Sequence, residues 1–361
     1  MATDFNIDLN ELYDKTFKEL GTANVIVTGK TGVGKSTLIN SVFSSNIAAT
    51  GKGKPVTYCI KEYTKEGVPL QIIDTKGIEI GNYKEVSKEL IDYVKSRKTA
   101  DPKEHVNVAW YCINYGSNRI EEMEVEFIKK LSDAGLSVVI VFTQSYTDSL
   151  EFLNEVKNQL YSSNVQYVKV VAMPFMVNSS YSIPASGLET LVQLTLELLP
   201  ECQRNAFAAA QKVEMKSKVE AAERVIRLAV TAAATAAVTP IPVADAALLA
   251  PIQVGMLAGI THCMGLEFNK GFLTALVSSA LGVVGATYTG RAIFTGLLKL
   301  IPGAGTIIGG AIAATTASTV TVLLGKAYLS ALERMIQNNE SLDPESVSAA
   351  FVSQLKLIKG I

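Results

Sequence analysis

Residues 29–36 read Gly-Lys-Thr-Gly-Val-Gly-Lys-Ser, behind the apolar run Ala23–Thr28 and ahead of a helical pattern from Lys35 to about Phe43. A strand, a glycine-rich bend and a helix in so short a span leave few folds open. The glycines let consecutive backbone N–H groups curl inward where side chains would collide, and the helix turns its positive end to the same point. Such a bend is built to cradle phosphate oxygens. Lys35 is placed to reach the β- and γ-phosphates of a nucleotide, and the Ser36 hydroxyl to ligate Mg²⁺. Gly29, Lys30, Thr31, Gly32, Val33, Gly34, Lys35, Ser36 and Thr37 are therefore expected to form the phosphate site.

Apolar stretches at Val56–Tyr63, Leu70–Asp74, Val106–Ile113, Val138–Phe142 and Tyr167–Val171 alternate with helical patterns near 83–98, 119–134, 149–160 and 187–199. That alternation predicts an α/β domain with a doubly wound, mostly parallel sheet. Trp110 and Tyr111 are expected to pack within it. Directly after one strand stands Asp74-Thr-Lys-Gly77. A carboxylate at a strand end faces the phosphate loop and can hold the metal through water, and Gly77 offers an N–H to the γ-phosphate. In the intervening Gly51–Thr57 segment, Thr57 is the natural second hydroxyl ligand for Mg²⁺ and the sensor of the γ-phosphate. The expected metal set is thus Ser36, Thr57 and Asp74, and the expected catalytic set Lys35, Thr57 and Gly77.

The spacing of GKTGVGKS, Thr57 in PVT, and DTKG resembles the translation-factor class of P-loop GTPases, near the Era-like and septin-like branches. The resemblance covers roughly residues 20–200. With the Ala/Gly-rich half behind it, the chain is similar to immunity-related GTPases and their bacterial relatives. The resemblance implies GTP as substrate, GDP as product and Mg²⁺ as cofactor. Two departures bear on it. Such proteins read guanine with [N/T]-K-x-D after a strand, whereas here the strand runs into Thr143-Gln-Ser-Tyr-Thr-Asp148. Thr143 fits, Gln144 replaces the lysine, and Asp148 stands two residues late, able to substitute only if the loop bulges. Ala172 is the candidate backbone donor to the guanine oxygen. The second departure is Ile78 after Gly77, where small signalling GTPases carry a water-orienting glutamine. An isoleucine holds no water by hydrogen bonding, so slow intrinsic hydrolysis is expected unless Glu79, Arg119 or a partner chain supplies the group. The expected everyday role of Arg119 is a salt bridge at a helix start.

Composition divides the chain. Residues 1–200 carry 20 Lys/Arg and 24 Asp/Glu, and residues 201–361 carry 13 and 10. The net charge of −1 lacks the basic excess of a nucleic-acid-coating protein. Four scattered cysteines and two histidines suit neither a disulfide scaffold nor a His/Cys metal centre. The mean hydropathy of +0.25 is high for 361 residues, and its source is Leu228–Leu332, which holds only Asp245, Glu267, Lys270, Arg291, Lys299 and Lys326 as charges.

The expected domains are an N-terminal helix (1–20), a GTP-binding domain (21–200) and an all-α, Ala/Gly-rich domain (201–361). Acids at Asp4, Asp8, Glu11 and Asp14 speak against a secretory leader. A charged amphipathic helix is expected over Ala208–Leu228 and a surface helix over the tail from Leu329. Three uncharged windows, Ala246–Leu266, Gly271–Gly290 and Ile301–Gly325, are each about long enough to cross a bilayer, with prolines 240, 242, 251 and 302 expected at helix starts and turns. Small residues suit both a tight soluble bundle and membrane packing, so the two readings stay open. The leading function is a cytoplasmic GTPase switch, with a homodimer through the nucleotide face and a membrane or protein effector reached through 201–361. An ATPase and a nucleotide-gated membrane-inserting scaffold, peripheral or integral at the bilayer, are the alternatives.

Overall fold

The computed structural model describes residues 22–43, 52–55, 59–65, 68–75, 77, 79, 81–98, 101–161, 165–238, 245–266 and 314–358. The expectations for residues 1–20, Thr57, Ile78 and the window 271–290 lie outside them.

The strands are β1 (Ala23–Gly29), β2 (Lys52–Pro55), β3 (Ile60–Lys65), β4 (Val68–Thr75), β5 (Val108–Asn114), β6 (Ser137–Thr143), β7 (Val165–Lys169), β8 (Phe175–Asn178) and β9 (Tyr181–Ile183). β1 is buried at every position, as a strand covered on both faces must be. It stands mid-sheet in the order β2-β3-β4-β1-β5-β6-β7. Pairing is antiparallel from β2 to β4 and parallel from there on. The fold is therefore the doubly wound, mostly parallel sheet expected. Its register sets Val27 against Asp74 and Gly29 against Cys112, so β1, β4 and β5 end together at one edge. Open sheets of this kind bind ligands at that edge. β2 lies within the 51–57 segment, and the β8–β9 hairpin has no counterpart among the expected strands.

Among the described residues, six α-helices cover the faces: α1 (Lys35–Val42), α2 (Tyr83–Arg97), α3 (Glu122–Asp133), α4 (Glu151–Gln159), α5 (Leu188–Leu198) and α6 (Glu201–Ala210). Side chains alternate across a strand, so Tyr111 joins Leu90, Phe127 and Phe152 on one face while Trp110 joins Leu38, Leu191 and Phe207 on the other. Trp110 stacks on Phe43 at 5.9 Å and donates its indole N–H to Thr195 Oγ1 at 3.0 Å.

α6 belongs to this core. The compact unit runs Leu20–Met215, beyond the division expected at residue 200, because Ala206, Phe207 and Ala210 bury against the sheet. The single helix expected over 208–228 is instead interrupted after Ala210. Gln211 pairs its backbone with Phe43, and its side-chain oxygen accepts from Val213 N (2.7 Å) and Glu214 N (2.8 Å).

All regular structure described in the second unit is helical: α7 (Met215–Val238), α8 (Asp245–Cys263), α9 (Ala314–Gln337) and α10 (Pro344–Ile358). Small residues permit close packing: a Cβ on Gly259 would lie 2.7 Å from Val225 Cγ1, and one on Gly325 2.8 Å from Ile226 Cγ1. Lys218 donates to the Met264 carbonyl at 3.0 Å, and the Thr261 and Tyr328 hydroxyls meet at 2.7 Å. Two expectations are corrected. Pro251 lies inside α8 rather than at a helix start. The tail forms two helices that bury Leu332, Met335 and Phe351, not one surface helix, and Asp343 starts the second by accepting from Glu345 N and Ser346 N. Among the described residues, no helix is long and apolar enough to cross a membrane.

Candidate nucleotide-binding site

The loop after β1 turns on glycine. Gly29 has φ +136°, and a Cβ there would collide with the Cys112 carbonyl oxygen of the neighbouring strand. Lys35, first residue of α1, curls back to donate to the Gly29 carbonyl at 3.0 Å and the Lys30 carbonyl at 2.9 Å. Burial lowers its pKa, opposed by the Asp74 carboxylate. Asp74 is the penultimate residue of β4, where burial pushes its carboxyl up to about 6 against the pull of Lys35 and Lys61. Its Oδ1 is buried without a hydrogen-bond partner. Ser36 and Thr37 stand exposed. A carboxylate oxygen awaiting a partner and a free hydroxyl are the hard oxygen donors Mg²⁺ takes, so the residues present fit that ion.

Lys30 turns away from the loop. Its ammonium lies 2.7 Å from Glu121 and 3.0 Å from Glu124. Glu124 is buried, accepts from Tyr111 Oη at 3.3 Å and from the Glu121 N–H at 3.1 Å, and so starts α3. Arg119 makes its expected salt bridge, 3.8 Å from Glu121.

Past β4, the chain folds onto the loop. Gly77 lies against Thr31 so tightly that a Cβ would fall 2.6 Å from the Thr31 nitrogen. The Thr31 hydroxyl donates to Glu79 Oε1 at 3.0 Å. Asn82 braces the segment, accepting from Glu79 N at 2.8 Å and donating to the Gly77 carbonyl at 3.2 Å. Sequence reading missed Asn82; its signal was an amide side chain just ahead of the 83–98 helical pattern.

At the opposite end, the Thr143 hydroxyl donates to the Val33 carbonyl at 2.6 Å, with the Ile113 carbonyl at 3.2 Å. Gln144 adopts φ +52° and accepts from Asn114 Nδ2 at 3.3 Å. Ala172 is half-buried beyond β7, where Ser145 N donates to the Val170 carbonyl at 3.2 Å. Asp148 is exposed, and its side chain makes no hydrogen bond or ion pair among the described residues. Thus the structure brings residues 29–36, Asp74, Gly77, Thr143 and Gln144 together and leaves Asp148 in solvent.

A family profile described as "50S ribosome-binding GTPase" matches residues 24–144, the span that holds the phosphate loop, Asp74, Gly77, Asn82, Thr143 and Gln144. The N-terminal unit is a P-loop GTPase domain. A second profile, a domain of unknown function, matches residues 201–357, so α6 packs into the GTPase domain although it falls within that second match. Among curated relatives, a tRNA modification GTPase MnmE of Malacoplasma penetrans is 27% identical over 150 residues, 38% of this chain and 32% of that protein. Cell division control protein 10 of Candida albicans is 26% identical over 170 residues, 40% of this chain and 47% of that protein. Magnetosome membrane protein 22 of Magnetospirillum gryphiswaldense is 29% identical over 108 residues, 30% of this chain and 55% of that protein. The chain thus spans about a third to a half of the length of these relatives.

Proposed function

We propose that this chain binds GTP across residues 29–37 and hydrolyses it slowly, as a switch coupled to its helical half. The observation that carries the reading is the unpartnered, buried Asp74 oxygen beside Lys35, in front of a loop whose Thr31 is covered by Gly77. Lys35 exchanges its two carbonyl partners for β- and γ-phosphate oxygens, and the loop N–H groups take up charge as water attacks in line. Bound Mg²⁺, with Ser36, Asp74 and Thr57 as its holders, supplies charge neutralisation on the phosphates. Loss of the γ-phosphate releases Gly77 and Thr57. The Ile78 side chain offers attacking water no hydrogen bond, which supports the slow turnover proposed.

Binding of labelled GTP and ATP to the full chain and to Lys35→Ala tests this. GTP binding that Lys35→Ala weakens by about a hundredfold or more supports it. Undiminished binding in that variant overturns it, and equal affinity for ATP moves the reading to an ATPase.

Self-association through the nucleotide face belongs to the same proposal. Tyr146, next to the 143–145 segment, stacks on Phe175 at 4.3 Å, and Met173, Phe175, Met176 and Tyr181 of the adjoining hairpin region are exposed. Exposed apolar groups gathered at one place mark interaction surfaces. Sedimentation with GTP and GDP tests it: a monomer in both states overturns it. Residues 201–361 are the proposed contact with an effector or with a membrane facing the cytoplasm; the name of the magnetosome membrane relative supports a membrane for the chain as a whole. Flotation of the full chain with liposomes in either nucleotide state checks the membrane arm.

A further inference from the structure

Resting on the nucleotide reading above, we infer that Gln144 selects a 6-oxopurine by donating its amide N–H to the base's O6, and that the base's 2-amino group goes unread.

The two ends of the loop set the direction of a nucleotide. Gly77 and Glu79 close on Thr31, the γ-phosphate end. Thr143 closes on Val33 and Gln144 on Gly34, at the first turn of α1, so the nucleoside leaves there. The Gln144 amide has only one way to face. The Gly116 N–H donates to Asn114 Oδ1 at 2.8 Å, which leaves Asn114 its NH₂ to offer. That NH₂ donates to Gln144 Oε1 at 3.3 Å. A flipped Gln144 would set one NH₂ against another. Gln144 Nε2 is thereby turned to Gly34, where it lies 3.7 Å from the position a Cβ would take, and it makes no hydrogen bond among the described residues. A left-handed glutamine persists only where its surroundings impose it. Here the Thr143 hydroxyl holds one side, and the Tyr146 N–H, bonded to the Gln144 carbonyl at 3.0 Å, holds the other.

An amide donor at that place meets acceptors on guanine and hypoxanthine. N7 accepts on every purine, so the choice is made at position 6: adenine carries an amine there, which the Gln144 NH₂ cannot pair with and which finds Gln144 Oε1 already taken by Asn114. Reading N1–H and the 2-amino group needs a carboxylate on the other edge of the base. Asp148 is held elsewhere: Lys169 gathers the flanking Thr147 and Ser149 carbonyls at 2.6 and 3.0 Å, and the Tyr115 hydroxyl bonds the same Ser149 carbonyl. Tyr115 in turn packs on Phe142 and Phe152, the core face under α4.

Competition of GTP, ITP and ATP against labelled GTP on the full chain tests the inference. GTP and ITP are expected within about threefold of each other and ATP about tenfold weaker or more. In Gln144→Leu, GTP falls to the level of ATP, while Asn114→Leu, which frees the amide to flip, narrows the gap. A tenfold preference for GTP over ITP that Asp148→Asn abolishes would overturn it. Equal GTP and ATP binding that Lys35→Ala removes would sink the Gln144 inference and leave the phosphate site standing. Absence of any nucleotide binding would instead sink the reading on which it rests. Thermal melts of each variant confirm folding, and the wild-type GTP/ITP ratio needs no variant.

Discussion

The Thr31 hydroxyl donates to a Glu79 carboxylate oxygen at 3.0 Å, tying the phosphate loop to the segment beyond β4. Glu79 is a carboxylate at the γ-phosphate end, two residues past Gly77, where the Ile78 side chain cannot orient water. Glu79→Ala is expected to lower kcat for GTP by about tenfold to a hundredfold with little change in KM, within the range of a lost proton acceptor. Single-turnover hydrolysis with and without Glu79 measures it. An unchanged kcat would return the role to a partner chain.

Phe207 packs edge-on against both Phe43 and Trp110, at 5.8 and 6.3 Å. Phe207→Ala should therefore destabilise the GTPase domain, by about 3–5 kcal/mol for a large aromatic removed from a core. The chain's one tryptophan reports on the same cluster. Urea unfolding followed by its fluorescence is expected to shift to lower midpoint in this variant. A shift confined to the helical signal of the second unit would contradict the placement of α6.

His262, near the end of α8, is held down to about 4 by burial and then by the Lys218 cation. Unfolded, it titrates near 6.5. Between those values the unfolded chain binds a proton that the folded chain refuses. The helical unit is thus fully stable with respect to this group above pH ~6.5 and loses up to about 3 kcal/mol as pH falls to 4. Burial likewise holds Lys218 to about 8, so stability gains again as pH rises from 8 toward the ordinary lysine value near 10.4. Melts across this range measure both limbs, and His262→Gln should flatten the acid limb alone.

Thr143→Val keeps the shape and removes the hydroxyl that holds the Val33 carbonyl at 2.6 Å. The expected cost is about 1–2 kcal/mol for a buried bond left half-made. Nucleotide affinity should fall with it, because the same carbonyl fixes the far end of the phosphate loop. Calorimetric titration of the variant with GTP reads the loss, and wild-type affinity would separate Thr143 from the site.

What the sequence disclosed was chemistry written in contiguous residues. Gly29–Ser36 sits after a strand and opens a helix, and Asp74 is the penultimate residue of the strand paired with β1, because both depend on local patterns. The allegiance of α6 was hidden. Ala206, Phe207 and Ala210 are as apolar as the alanine-rich half that follows, and composition does not tell which core receives them. The break at Gln211 rests on a bridge to Phe43, 168 residues earlier, and on a glutamine serving as a cap. Pro251 looked like a helix start because a proline there costs nothing, whereas inside α8 it forgoes a backbone bond. The base-reading end was legible only as a departure. That Gln144 adopts a left-handed backbone and takes its orientation from Asn114 and Gly116 is tertiary information.

Lys30 stands inside the phosphate loop, yet its ammonium is taken by Glu121 and Glu124. Among the described residues of this loop, a triphosphate therefore meets one ammonium, that of Lys35, and otherwise uncharged N–H groups at contact distance. Screening by dissolved ions weakens attraction between separated charges far more than hydrogen bonds already in contact. The loop should accordingly hold its ligand with only shallow dependence on ionic strength, and Glu121→Gln, by releasing Lys30, should make that dependence steeper. An acidic pair on a neighbouring helix thus decides how strongly the surrounding electrolyte is felt inside the loop.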